Sequence, residues 1–165
     1  FQDKEMKIQV GIITVSDRAS RGQYEDLSGP ALKEAADGHG WEVVAEALVS
    51  DDQEQIQQAI RSHIAKGAHL VLTTGGTGVG PRDVTPEAVR ELAERELPGF
   101  GELMRSESLK ITPNAILSRC LAVAIDRTLT ICLPGSPRGS VECLGFVAGV
   151  IPHCLEELHG TAKNC

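Results

Sequence analysis

Apolar positions along the chain fall into short β-branched runs that alternate with stretches of helical period. Lys7-Ile-Gln-Val-Gly-Ile-Ile-Thr-Val-Ser16 is a run of the first kind, and it predicts a strand buried on both faces. The polar segment Asp17 to Leu27 reads as a loop. Ser28-Gly-Pro then opens a helix that ends near Gly38 or Gly40, with Ser28 as cap and proline tolerated in the first turn. Trp41 to Val49 predicts a second strand. Ser50-Asp-Asp-Gln-Glu54 starts the next helix: Asp51 and Glu54 have capping-box spacing, and Ile56, Ala59, Ile60 and Ile64 share one face. Gly67 closes it before a third strand, Leu70 to Thr73. Thr85-Pro86-Glu87 predicts another capped start, with Thr85 capping and Pro98 ending the helix.

Phe100 to Leu109 and Asn114 to Arg119 read as short helices, the second opened by Thr112-Pro113. Leu121 to Ile125 and Thr128 to Leu133 read as a hairpin turning at Asp126-Arg127, and a helical region interrupted at Pro152 follows the turn Pro134 to Gly139. Strands alternate with helices for most of the length. The expected fold is a three-layer α/β sandwich, its central sheet mostly parallel and flanked by helices, with one antiparallel hairpin.

The 165 residues suit one domain with a sizeable core. Residues 6–160 are assigned to it, residues 161–165 to a C-terminal tail, and residues 1–5 to an expression or processing remnant before a natural start at Met6. No stretch reaches the roughly 18 apolar residues of a membrane span. A net charge of −7 excludes a general nucleic-acid binder, which needs a basic face. Five cysteines without a close pair form neither a disulfide framework nor a zinc site, and fit thiols in a reducing cytoplasm. The histidines are scattered; His153 and His159, six apart, do not share a helix face as metal ligands would.

Chemistry is expected where strand-end loops gather on one edge of the sheet. Four loops qualify: the one after Ser16, Asp51-Asp52, Gly75 to Asp83, and Pro134 to Gly139. The third, in Val71-Leu-Thr-Thr-Gly-Gly-Thr-Gly-Val-Gly-Pro-Arg-Asp83, resembles two nucleotide loops and matches neither. Gly76-Thr-Gly78 meets Pro81 where G-x-G-x-x-G needs its last glycine, and Pro81-Arg82 replaces the Lys-Ser/Thr of a P-loop. What remains is a nest of N–H groups beside an arginine and an acid. On position alone Asp51 and Asp83 serve as helix caps or dipole partners as readily as chemistry. If phosphates bind here, two carboxylates would repel them unless a cation lies between, which makes a Mg²⁺ site the economical reading. Gly135, Ser136 and Arg138 add donors, and Arg18, Arg21 and Arg119 are further candidate phosphate partners.

Val71 to Gly78, Pro81-Arg-Asp-Val-Thr-Pro-Glu-Ala88, Ser108-Leu-Lys-Ile-Thr-Pro113, Leu117-Ser-Arg119 and Leu133-Pro-Gly-Ser-Pro137 together resemble the molybdopterin adenylyltransferases. These include stand-alone bacterial enzymes and the matching domains of gephyrin and its plant counterpart. The resemblance covers about Met6 to Gly160. It implies the molybdopterin-binding α/β fold, a cytoplasmic homotrimer, and adenylylation of molybdopterin by ATP and Mg²⁺ with release of pyrophosphate. It assigns catalysis and the metal to Asp51 and Asp83. Substrate contacts are expected from Ser16, Asp17, Thr74, Gly75, Gly76, Thr77, Gly78, Pro81 and Arg82 in the first and third loops. Others are expected from Glu107, Ser108, Lys110, Ser118, Pro134, Gly135, Ser136 and Pro137. Molybdate insertion would fall to a separate protein that receives the product; no nucleic acid or membrane is implied. Ser50 stands where the family commonly has proline, which leaves Asp51 and Asp52 competing for one role; Asp51 is favoured. Val79-Gly80 is smaller than the usual pair. The alternative is a molybdopterin-binding or scaffold homologue without adenylyltransferase activity.

Overall fold

A six-stranded sheet organises residues 7–163, the part of the chain that the computed structural model describes. The assignments of residues 1–5, the start at Met6 and Cys165 lie outside the described residues. The strands are β1 (Gln9–Val15), β2 (Glu42–Val49), β3 (Leu70–Thr74), β4 (Arg95–Glu96), β5 (Ala122–Ile125) and β6 (Thr128–Leu133), in spatial order β2-β1-β3-β6-β5-β4. The pairs among β2, β1, β3 and β6 are parallel, whereas β5 runs antiparallel to both β6 and β4.

Alternating side chains of each inner strand feed two cores, as a pleated strand buried on both faces requires. Val10 and Ile12 of β1, Leu70 and Leu72 of β3, and Leu129 and Ile131 of β6 pack on one face. They meet α2 (Ser28–Gly38), α5 (Pro98–Leu109), α6 (Pro137–Val147) and α7 (Ile151–Leu158) through Leu32, Met104, Leu144 and Leu155. Ile13, Val71 and Cys132 point the other way, onto Ile56 and Ile60 of α3 (Gln53–Ala65) and Val89 of α4 (Thr85–Leu92). The result is the expected three-layer α/β sandwich, with a third antiparallel strand, β4, beyond the hairpin. No helix among the described residues is long and apolar enough to cross a membrane.

Local signals mislead at several points. Ser28 and Thr85 read as helix caps, yet neither caps. The Ser28 hydroxyl donates to the Gly135 carbonyl at 2.6 Å and that of Thr85 to the Gly75 carbonyl at 2.9 Å. Asp26 takes over at α2, accepting from the Gly29 N–H at 3.0 Å. The loop after β1 begins with a single helical turn, α1 (Asp17–Ser20), capped by Ser16. Pro98 does not end α4, which stops at Leu92; the chain forms β4 and Pro98 opens α5 instead, because proline suits a first turn. Residues Pro113–Leu117 form a 3-10 turn, and the C-terminal region is interrupted by a second such turn, Ala148–Val150, with Pro152 in the first turn of α7. The four described cysteines, Cys120, Cys132, Cys143 and Cys154, are free; burial pushes the Cys132 thiol up to about 12.

His63 of α3 faces Gly11 of β1, where any side chain at position 11 would strike the imidazole at 2.5 Å. The ring is 1% exposed and its Nδ1 has no hydrogen-bond partner among the described residues. Burial, aided by the charge of Lys66, holds its pKa down from 6.5 to about 4. The folded state favours the neutral ring, so this contribution is complete above pH 6.5 and is lost as pH falls toward 4, by on the order of 1–3 kcal/mol. Urea midpoints should therefore drop more between pH 7.5 and pH 5 in the native protein than in His63→Leu; equal drops would refute the account.

Candidate functional site

The strand order sets where the loops converge. From β1 the chain leaves toward β2 at one edge, and from β3 it leaves toward β4 at the other. A crevice must open between their carboxyl ends, the switch point where α/β sheets bind ligands. Gly75 and Gly76 turn there with φ of +102° and +68°. A Cβ on Gly75 would lie 2.2 Å from the Val15 carbonyl oxygen, and one on Gly76 would lie 2.3 Å from Thr85 Oγ1 and 3.1 Å from Asp51 Oδ1. Only glycine lets this backbone rest on the end of β1 and beside the acid. Thr74 ties the turn to the loop after β6 by donating to the Pro134 carbonyl at 2.7 Å.

Asp17 is the knot of the other loops. Its carboxylate accepts from Arg82 Nε at 2.9 Å and Nη2 at 3.1 Å, from the Ser50 hydroxyl, and from the Asp51 N–H at 3.0 Å. The bond from Arg82, then that from Ser50, holds this carboxyl far below the usual range. In return Asp51 Oδ2 accepts the Asp17 N–H at 2.9 Å. The chain ends of β1 and β2 are thereby cross-stitched, and the glycine loop is fastened to both through Arg82. Asp17 and Arg82 satisfy each other here.

The same geometry separates two neighbouring acids. Asp52 caps α3, its Oδ2 accepting from the Gln55 N–H at 3.1 Å. Asp51 instead faces the crevice together with Asp83. Burial raises the pKa of Asp51; the Asp17 N–H opposes that rise, and the carboxylates of Asp17 and Asp83 add to it. Asp83 folds under its own loop, with Oδ2 accepting from the Gly80 N–H at 2.8 Å.

Two clefts flank the glycine turn. The first, about 380 Å³, is lined by Ser16, Thr74, Gly75, Gly76, Asp51, Asp83 and Pro137, with Tyr24, Glu25 and Asp26 along one side. The second, about 350 Å³, is lined by Thr77, Gly78, Ser108, Ile111, Thr112, Ser118, Pro134 and Glu142, with Cys143 3.4 Å from the Ser108 hydroxyl. Gly135 and Ser136 belong to both. Ser136 also caps α6, accepting from the Gly139 N–H at 3.0 Å, so the start of that helix faces the junction. Glu107 and Lys110 pair with each other at 2.9 Å and, like Pro81 and Arg82, line neither cleft. Arg138 pairs with Glu142 and Arg18 stacks over Tyr24. Thr112, Glu142 and Cys143 are not among the substrate contacts expected from sequence, because they meet only when α5, the 3-10 turn and α6 come together. A further cleft of about 360 Å³, around His39 and Trp41 at the opposite end of the strands, has neither a glycine turn nor facing acids.

The acid cleft fits a hard divalent cation. In both Asp51 and Asp83 the protein's hydrogen bonds fall on Oδ2, and the Asp83 carboxylate adds to the cost of ionising Asp51. No group of three or more His, Cys, Asp or Glu side chains among the described residues could hold a metal alone. Mg²⁺ ordinarily takes one or two carboxylates and completes its shell with substrate phosphates and water.

The chain is similar to known proteins over most of its length. The family described as "probable molybdopterin binding domain" matches residues 11–153. The chain is 43% identical to a molybdopterin adenylyltransferase of Helicobacter pylori, over 93% of this chain and 89% of that one. It is 41% identical to the molybdopterin adenylyltransferase of Escherichia coli K12, over 93% and 86% respectively. In structure it resembles the molybdopterin biosynthesis enzyme MoaB of Thermus thermophilus, with a TM-score of 0.87, 46% identity, and coverage of 95% of this chain and 99% of that one. A crevice at the β1/β3 switch point, walled by a glycine turn and two acids, thus sits in a chain that belongs to the molybdopterin-binding family of molybdenum cofactor biosynthesis.

Proposed function

We propose that this protein is a molybdopterin adenylyltransferase, joining AMP from ATP to molybdopterin in molybdenum cofactor biosynthesis. The observation that carries the reading is the pair of clefts meeting at Gly135 and Ser136, with Asp51 and Asp83 together in one of them. The acid cleft suits the nucleotide phosphates, and the hydroxyl-lined cleft suits a flat polar ring system.

The terminal phosphate of molybdopterin attacks the α-phosphorus of ATP. A new P–O–P bond forms as the bond to pyrophosphate breaks, and pyrophosphate departs with that electron pair. The attacking oxygen is already anionic, so no base is needed; the work is to bring two anions together in line. The chain's share is positional. The Gly76–Gly78 part of the turn and the start of α6 offer N–H donors to phosphate oxygens, and the Ser136 hydroxyl stands at the junction. Asp51 and Asp83 would hold Mg²⁺, which when bound offsets charge on the α-phosphate and the departing pyrophosphate. The same reading includes a cytoplasmic homotrimer and transfer of the product to a separate molybdate-inserting protein.

The test is direct. With molybdopterin, ATP and Mg²⁺, the protein should release pyrophosphate and form adenylylated pterin in equal amounts. Pterin binding without pyrophosphate above background would reduce the protein to a binding module.

A further inference from the structure

Arg119 lies outside both clefts, yet its donors reach the loop that carries Asp83 at two places. Its Nε donates to the Gly78 carbonyl at 2.7 Å and its Nη2 to the Asp83 carbonyl at 2.8 Å. Its own N–H donates to the Thr77 carbonyl at 2.9 Å. The remaining guanidinium nitrogen, Nη1, pairs with Glu87 in the first turn of α4, and this pairing holds the Glu87 carboxyl below its usual range. One planar fork therefore clasps the loop at residue 78 and again at residue 83, and braces itself on the helix that follows.

The consequence follows from peptide geometry. In a trans peptide the carbonyl of one residue and the N–H of the next point in opposite directions. With the carbonyls of Thr77 and Gly78 drawn to residue 119, the N–H groups of Gly78 and Val79 face away from it. With the Asp83 carbonyl fixed at the other end, the Cα from which its carboxylate projects is fixed as well. Among the described residues the Asp83 carboxylate itself accepts from the Gly80 N–H of the same loop, and the tie next to it, Arg82 to Asp17, is half exposed.

We infer that Arg119 is a positioning residue that sets the Asp83 carboxylate for the divalent cation by clasping both ends of the glycine loop. This rests on the adenylyltransferase reading for its chemistry, but not for its test. A fork is required because two separate nitrogens, Nε and Nη2, each hold a different carbonyl at the same time. Lysine offers one nitrogen centre in place of a planar pair, so it can serve one carbonyl well but not both.

Mn²⁺ titrated with ATP in the presence and in the absence of the protein, without pterin, and followed by electron paramagnetic resonance gives the acid site's own contribution by difference. Arg119→Met should weaken Mn²⁺ binding by about 10- to 100-fold, the usual cost of losing an outer-shell partner, and Arg119→Lys should recover part of the loss. In turnover, Arg119→Met should lower kcat and raise the Mg²⁺ needed for half-maximal rate, with KM for molybdopterin changed less than about threefold. Mn²⁺ affinity within twofold of native in Arg119→Met would overturn the inference. If that variant does not fold, unchanged Mn²⁺ affinity in Arg119→Lys overturns it instead. A native protein that releases no pyrophosphate would overturn the proposed function alone, since the Mn²⁺ titration still judges Arg119.

Discussion

Asp83→Asn is expected to cut turnover by about 100- to 1,000-fold or more, the scale of losing one preorganised electrostatic group at a reacting centre. The substitution is nearly isosteric. The Asn side-chain oxygen can still accept from the Gly80 N–H, now 2.8 Å from Asp83 Oδ2, so the loop keeps its local bond. What disappears is one negative charge opposite Asp51. The urea midpoint should change little, because a half-exposed carboxylate gives way to a group of the same shape. The Asp51 carboxyl, relieved of its neighbour's charge, should ionise more readily than in the native protein. The informative result is the combination of a folded protein, intact pterin binding and lost turnover. Near-native turnover in a folded Asp83→Asn protein would remove Asp83 from the mechanism.

The largest effect on stability is expected at Gly75. Alanine there meets two obstacles. The backbone φ of +102° is strained for any residue with a side chain. The new methyl would also stand 2.2 Å from the Val15 carbonyl oxygen at the end of a central strand, where neither backbone can yield without disturbing the sheet. A loss of about 4 kcal/mol or more is expected from strain and overpacking together, enough to leave a marginal domain unfolded. Gly22→Ala is the natural control. Its φ of +72° is also left-handed, but nothing lies within 4 Å of the added carbon, so only the backbone cost of about 1–2 kcal/mol applies. Urea denaturation of the pair separates the two causes. Equal losses would mean that the contact with Val15 yields freely and that the turn is less rigidly seated on β1 than its geometry requires.

Much of the fold was legible because the inner strands are continuous β-branched runs and the helices carry a regular apolar stripe. Two residues of β4 are too few for any period to register, and that strand exists because Glu94 and Leu97 bond to the neighbouring Ala124 and Ala122 carbonyls. Ser28 and Thr85 stood where caps stand, but their hydroxyls had buried carbonyls of the site loops within reach, and those bonds won. The choice between Asp51 and Asp52 could not be made from spacing, since both fall within the cap window of α3. Which acid caps and which faces the cleft depends on the reciprocal bonds between Asp17 and Asp51, which join residues 34 apart. The first cleft was traceable because its parts are strand-end loops with glycine or acid signatures. The second draws on Thr112, Glu142 and Cys143, whose neighbourhood exists only after α5 and α6 have packed.

Gly135 and Ser136 form the partition between the two clefts, and a partition has two sides. If the two clefts hold the two substrates of the proposed reaction, a nucleotide that presses on this partition would alter the fit of the pterin beyond it, and the reverse would hold by the same amount. Thermodynamic reciprocity requires that any factor by which one substrate tightens the other's binding be equal in both directions. Cooperation between substrates placed in this way would need no moving domain in this small protein. Two residues of shared masonry would give it a path.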